Sequence, residues 1–413
     1  MRKARQLGAI VVALAGLWSE AAAAQPAEPS WSPLFLGYET EPGMDFGGRT
    51  LASLQSALSR AIGEIGDVGK KRPGVTPAWE FPLGAAILLV QHEVGGHGGR
   101  GREFSLHPSY GFGVDFSGYT TVDIPPQTNE QGSLIAAGGA EADGVMAHRI
   151  LREMLAAEGT DGAKVPLALM AKLDLSLYVE STEEPDQDFV DQFREGNDVA
   201  YYLVSRQSAR QGGSSVQVWD GVFPVDLSDP LLDRTYDDAR ATALWNVLDP
   251  SLVAAGIAYF KQHVLGGEAR VRMPAWKVGE DLSLMVGTRG ALGPREVTRI
   301  LDLYAACRYG VLSVYARDLD SSQDRTYGFG AHLSGVRLGS AVTVGVKLDR
   351  WENPDAAEGP ADKDGWNAAG EIDALFGSRW GLSAKVGAKS EGFFPGLPTE
   401  DGAYVGFGIL AVW

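Results

Sequence analysis

The stretch RWGLSAKVGAK, Arg379 to Lys389, alternates without interruption. Trp380, Leu382, Ala384, Val386 and Ala388 stand against Gly381, Ser383, Lys385, Gly387 and Lys389. Successive side chains of a strand point to opposite faces, so this period defines a strand with one apolar face. The same period recurs at residues 326–335 (Tyr327, Phe329, Ala331, Leu333), 340–350 (Val342, Val344, Val346, Leu348) and 402–413 (Ala403, Val405, Phe407, Ile409, Ala411, Trp413). Residues 281–288, 308–318 and 367–376 read as further strands, and Asn353-Pro354-Asp355 and Phe394-Pro395-Gly396 as turns between them. Residues 280–413 are therefore expected to form an antiparallel β-meander. The segments are about ten residues long, the length of a tilted membrane strand. A soluble sheet packed by its apolar face on a helical layer would alternate in the same way.

From residue 51 to about 265 the apolar positions follow a helical period instead. Helices are expected at 51–65, 81–93, 133–158, 165–178, 190–206, 239–248 and 251–264, with a strand or hairpin at 111–124. The fold class is thus α+β, with a mainly helical region at 51–279 followed by the β region at 280–413. Because the last strand ends on Trp413, the β region resembles outer-membrane β-barrel proteins, whose closing strand ends in an aromatic residue. That resemblance implies a barrel, contact with outer-membrane lipid, and an even strand number of about eight or more, against the seven segments read here.

Residues 1–24 read as a signal peptide: Arg2, Lys3 and Arg5, then an apolar run from Leu7 to Trp18, then Ala22-Ala23-Ala24. Residues 25–50 are expected to be a flexible leader. No later run of eighteen or more apolar residues suggests an ordinary transmembrane helix. The chain is expected to be exported to the outer membrane, with the helical region periplasmic or surface-exposed. A net charge of −17 argues against a nucleic-acid partner, which needs a basic face. The single cysteine, Cys307, allows no internal disulfide. The acid-rich stretch 180–198 lacks the glycine and terminal glutamate of an EF-hand loop and reads as a solvated connection.

Chemistry concentrates in HEVGGH, His92 to His97, at the end of the apolar run 81–90. The chain has six histidines, and His92, His97, His107 and His148 cluster within it. Zinc prefers such nitrogen and carboxylate ligands, and a glutamate beside a ligand histidine is placed as a general base. The histidines are five positions apart rather than four, about 140° apart on an ideal helix. Both rings reach one ion only if the helix widens, as a π-bulge would, and Gly95-Gly96 tolerates that distortion. HEVGGH resembles the HExxxH motif of the dipeptidyl peptidase III metallopeptidases. This resemblance of six residues implies a zinc pair, His92 and His97, with Glu93 as catalytic base, and a zincin-like character for the helical region.

A third ligand is expected from the helix at 133–158, where Glu141 lies in an apolar setting that is costly for an unpaired carboxylate. A paired, structural acid is the other reading of Glu141. The acid that often follows such a ligand by four positions is replaced by Val145. His148, on the same face, is the candidate to stabilise an oxyanion, Arg100 a weaker one, and Asp143 is expected to be solvated or to support a ligand. The function expected is a zinc-dependent hydrolase acting on a peptide or protein substrate. The alternatives are a non-enzymatic outer-membrane β-barrel protein with a helical plug or binding domain, and a metal carrier.

Overall fold

The computed structural model describes residues 34–65, 73–321, 325–353, 364–377 and 379–411. The expected signal peptide and Trp413 lie outside them. The fold is α+β, as the two periodicities predict. Strand β1 (Leu34–Glu39) precedes α1 (Met44–Glu64), α2 (Pro77–Val90) and α3 (Gly98–Glu103). The hairpin β2 (Pro108–Phe112) and β3 (Gly118–Val122) leads into the long helix α4 (Asn129–Leu155). After the short strand β4 (Thr160–Asp161) come α5 (Val165–Ser181), α6 (Gln187–Glu195), α7 (Asp198–Arg210), α8 (Ser215–Trp219), α9 (Pro230–Val247) and α10 (Pro250–Ala258). A π-helical turn, Tyr259–Leu265, extends α10. Strand β5 (Arg270–Val271) pairs with β4, and the meander follows: β6 (Trp276–Val278), β7 (Leu282–Leu292), β8 (Glu296–Cys307), β9 (Gly310–Ser321), β10 (Arg325–Leu338), β11 (Val342–Glu352), β12 (Asp364–Phe376), β13 (Trp380–Lys389) and β14 (Gly402–Ala411).

The main sheet has ten antiparallel strands in the order β1-β14-β13-β12-β11-β10-β9-β8-β7-β6, with β1 and β6 as its two edges. It is not closed strand to strand. Three strands exceed the sequence expectation. β8 carries apolar residues on both faces, Ile300 and Tyr304 inward and Leu301 and Leu303 outward, which hides the period of two. β6 has only three residues. β1 falls within residues 25–50, so its segment of the expected leader is instead ordered, paired from Leu34↔Ala411 to Glu39↔Gly406.

The two faces of the sheet differ in polarity. Leu382, Val386, Val405, Phe407 and Ile409 are each about half exposed on its outer face. The inner face buries Lys385, Ser383, Asn367, Asp302 and Arg317. Lys385 pairs with Glu39 at 2.6 Å and Asp45 at 2.9 Å. Arg289 pairs with Asp302 at 2.7 Å, and Asn367 donates to Asp349 at 2.6 Å. The outer face is thus largely apolar, while the inner face mixes charged groups with apolar residues such as Val297, Tyr304, Val311 and Leu410 that pack on the helices. Lys385, Arg289 and Asp302 are ion-paired, as desolvation of buried charge requires, while Arg317 has the Phe393 carbonyl at 3.3 Å.

Helix α4 runs along the inside of the curved sheet. Glu130 near its start pairs with Arg295 in the β7–β8 turn, while Glu158 beyond its end pairs with Arg337 on β10. Between these points its Val145, His148 and Arg152 face a cavity that His332, Lys347 and Tyr315 line from the sheet. The main apolar core lies beside it, where α5, α6, α7 and α9 pack through Val179, Phe189, Phe193, Leu203 and Ala239. The expected helix at 190–206 is two helices, α6 and α7, separated by Gly196 at φ 88° and Asn197.

Candidate metal centre

The apolar helix α2 does not stop at the HEVGGH glycines. Residues Gln91–His97 form a π-helix that passes directly into α3. The wider turn removes the angular mismatch of the i, i+5 spacing, and the two imidazoles meet edge to face with centroids 4.8 Å apart. Close helix contact needs glycine on both sides. A Cβ on Gly96 would come within 2.4 Å of the Gly138 carbonyl, and one on Gly139 within 2.2 Å of His92 Nε2. The pair Gly138-Gly139 of α4 is thus what lets the His92 ring lie against that helix.

Each ring is held by its Nδ1. His97 Nδ1 donates to the Ile135 carbonyl at 2.5 Å, which leaves its Nε2 as the free position. His92 Nδ1 lies 3.0 Å from Asp143 Oδ2 and 3.2 Å from Asp174 Oδ2. The ring also stacks on Tyr178, with centroids 4.8 Å apart and planes 11° apart. Both Nε2 atoms then face one carboxylate: Asp198 Oδ2 is 3.3 Å from His97 Nε2 and 3.6 Å from His92 Nε2. The ligand atoms of His92, His97 and Asp198 all lie within 4.8 Å of one another. A second trio, His92, Asp143 and Asp174, is equally close and shares His92 through its other nitrogen.

Electrostatics follow from this packing. Burial opposes charge on both imidazoles, yet Asp174 and Asp143 hold His92 well above the usual histidine range, and Asp198 raises His97. Asp198 resists its own burial because His97 and His92 favour its ionised form, which sits well below the usual carboxylate range. Burial, reinforced by Asp174, pushes Asp143 well above that range. His92 Nε2, Asp143 Oδ1 and Asp174 Oδ2 are buried without a hydrogen-bond partner among the described residues. The arrangement fits a cation: a convergent His, His, Asp donor set around an unsatisfied imidazole nitrogen, with carboxylates behind the ring.

Glu93 is buried beside the cluster but is not one of its convergent ligands. The Thr120 hydroxyl of β3 donates to Glu93 Oε2 at 2.7 Å. Glu93, His97 and Asp198 line one cleft of about 380 Å³ with Thr120, Tyr178, Tyr201 and Trp219. This cleft can hold a small extended molecule between an acid, a metal-type donor set and aromatic walls.

The structure separates the residues that sequence reasoning grouped. Glu141 is not in the cluster. It faces the other side of α4, accepts from Arg100 Nε at 3.0 Å, from Arg100 Nη2, and from the Gly396 amide at 2.7 Å. Burial raises its pKa and Arg100 opposes the rise. This is the paired structural acid rather than a ligand. Arg100 is consumed by Glu141, Glu103 and the Leu397 carbonyl. His148 lies in the cavity between α4 and the sheet, 3.2 Å from the Tyr304 hydroxyl, so it does not line the cleft. Asp143 supports His92, one of the two roles expected for it.

Asp198 and Asp174 escaped the sequence reading. Asp198 is the last acid of a stretch read as solvated. Its signal is Gly196-Asn197: Gly196 ends α6, the Asn197 side chain caps α7 by accepting from Ala200 N at 2.9 Å, and Asp198 opens α7. Asp174 is an acid on the apolar helix α5, the same signal that singled out Glu141. Comparison with family models, with curated proteins and with solved structures returns no match for this chain.

Proposed function

We propose that this chain is an exported zinc-dependent hydrolase acting on peptides, held in the outer membrane by its β region. One observation carries the hydrolase reading: both Nε2 atoms converge on Asp198 while the adjacent Glu93 is kept out of the donor set and in the same cleft. His92, His97 and Asp198 would hold the metal. Bound zinc supplies Lewis acidity and makes water acidic enough to lose a proton near neutral pH. Glu93, with Thr120 fixing one of its oxygens, would serve as the base that accepts a proton from water in the cleft. Asp143 keeps the His92 Nδ1 occupied, which orients its ring, with the Asp174 carboxylate 3.2 Å away. Among the described residues β3 pairs only with β2, and its other edge, beside Glu93, would offer an extended peptide backbone a partner in the manner of strand addition.

Membrane insertion rests on a separate observation, the exposed apolar side chains of the outer face together with the charges buried on the inner face. Tyr327 and Trp366 near one rim and Phe376 and Trp380 near the other are exposed, as in the aromatic girdles of such proteins. The alternative function is a non-enzymatic outer-membrane protein whose helices plug the sheet, favoured by the course of α4 through its interior.

The test is metal analysis of the purified full chain together with Glu93→Gln. The hydrolase reading expects about one zinc per chain, the norm for such sites. Glu93→Gln should keep that zinc and lose about 10²–10⁴ in peptide hydrolysis. Absence of stoichiometric zinc supports the plug, and zinc with full activity in Glu93→Gln removes the assigned base.

A further inference from the structure

An open sheet in lipid leaves two rows of unpaired backbone groups, which hydrocarbon does not tolerate. Here both edges are sealed by helices. At the β1 edge, Ser53 Oγ of α1 accepts from Phe35 N at 2.9 Å and lies 3.1 Å from Phe35 O, while Thr50 Oγ1 accepts from Gly37 N at 3.2 Å. At the other edge β6 covers only one end of β7. Beyond it, the Asn246 amide of α9 accepts from Gly290 N at 2.8 Å and donates to Gly290 O at 3.3 Å. Lys172 of α5 donates to Thr288 O. These side chains take the place of some of the ladder partners that a closing strand would supply.

The sealing helices carry the apolar surface onward. On α1, Leu54, Leu58 and Ile62 are exposed at helical spacing. On α9 and α10, Leu244, Val247, Leu248, Val253, Ile257 and Phe260 are exposed. This second face is bounded by exposed Arg240 and Lys261. From Ala241 to Phe260 every exposed residue of the run is apolar or proline. The stretch is two helices that meet at Leu248-Asp249, so at 1.5 Å per residue it spans at most about 30 Å, comparable to a bilayer hydrocarbon core. By length and composition Pro230–Leu265 holds the one candidate span among the described residues, with 44% of its apolar window buried.

The helices between the edges are tied to one another by a buried acid. Glu80 of α2 accepts from Ser59 of α1 at 3.0 Å and from the Tyr259 hydroxyl at 2.6 Å, and contacts His263 Nε2 at 2.9 Å. Polar contacts of this kind hold helices together where lipid gives no hydrophobic drive.

We propose that α1 and the α9–α10 run, joined through α2, complete the wall that the ten strands leave open, and that their outer faces contact lipid acyl chains. The barrel of the sequence expectation becomes a strand–helix wall around α4. This inference rests on the membrane reading of the β region, and its test separates the two.

The full chain with Cys307→Ser is reconstituted in phosphatidylcholine–phosphatidylglycerol vesicles. A single nitroxide is placed at Leu58→Cys, Ile257→Cys, Phe407→Cys or Glu195→Cys. Relaxation by oxygen reports lipid, and relaxation by a water-soluble nickel chelate reports water. The expected result is that positions 58 and 257 match 407, oxygen-exposed and nickel-shielded, while 195 shows the reverse. Nickel access at 58 and 257 with 407 in lipid overturns the helical wall and leaves the strands inserted. Nickel access at all three overturns both readings. Shielding of 58 and 257 from both reagents means that protein covers them, a second copy of the chain included, and also overturns the proposal.

Discussion

Glu141 and Asp143 stand two positions apart on α4, both buried, facing opposite sides of the helix. Glu141 has both oxygens filled by Arg100 and the Gly396 amide. Asp143 has one oxygen against His92 and the other without a partner, beside a second acid and an imidazole nitrogen in the same condition. Burial of a carboxylate therefore does not select a metal ligand. What distinguishes the candidate centre is donor and acceptor capacity left over after folding. A filled buried pair acts as a structural joint, here between α3, α4 and the β13–β14 connection. An unfilled cluster is costly unless a ligand completes it.

The strongest way to break this contrast is to exchange the fates of Asp198 and Glu141. Asp198→Ala should reduce bound zinc from about one per chain, the usual stoichiometry of such a site, to none, read by metal analysis after dialysis. Glu141→Ala should retain it. If Glu141→Ala loses zinc from a folded protein while Asp198→Ala keeps it, the assignment is reversed and the sequence expectation stands.

Stability gives the next test. Removing one partner of a buried pair leaves an uncompensated charge and costs about 3–5 kcal/mol. Glu141→Ala should lower the unfolding free energy of the solubilised protein toward the lower end of that range, because Arg100 loses its bidentate partner but keeps Glu103. A change under about 1 kcal/mol, the range of exposed pairs, would remove the structural joint.

The smallest effect sharpens the other side of the contrast. Asp143→Asn keeps size and one acceptor but removes the charge behind His92. Loss of such a supporting partner typically costs about 10–100-fold in metal affinity. Competition against a chromogenic chelator should show that decrease with the zinc stoichiometry intact. Unchanged affinity would mean that Asp174 alone orients the ring, and the double variant with Asp174→Asn would then carry the whole decrease.

Much of this molecule was legible from local pattern. Alternation of period two marks the strands from β9 to β14, because side-chain direction in a strand is a local property. The five-residue histidine spacing with two glycines called for a widened helix, and Gln91–His97 is one. Local pattern could not say which face of the sheet met the helices, since both arrangements alternate. Only the packed structure shows that the outer face is apolar and exposed while charges are buried among apolar residues inside. It also brings Asp198, in place of Glu141, to the two histidines. Asp198 reaches the histidines because Gly196 and Asn197 break the chain between α6 and α7, which brings two sites 101 positions apart in the chain into one cluster. Glu141 and Asp174 gave the same sequence signal, an acid on an apolar helix, and tertiary packing gave them different partners. The residue types determined which groups could bind a metal; the crossing of α4 with the π-helix at Gly96 and Gly139 determined which of them meet, because contact between helices depends on backbone approach that no single segment specifies.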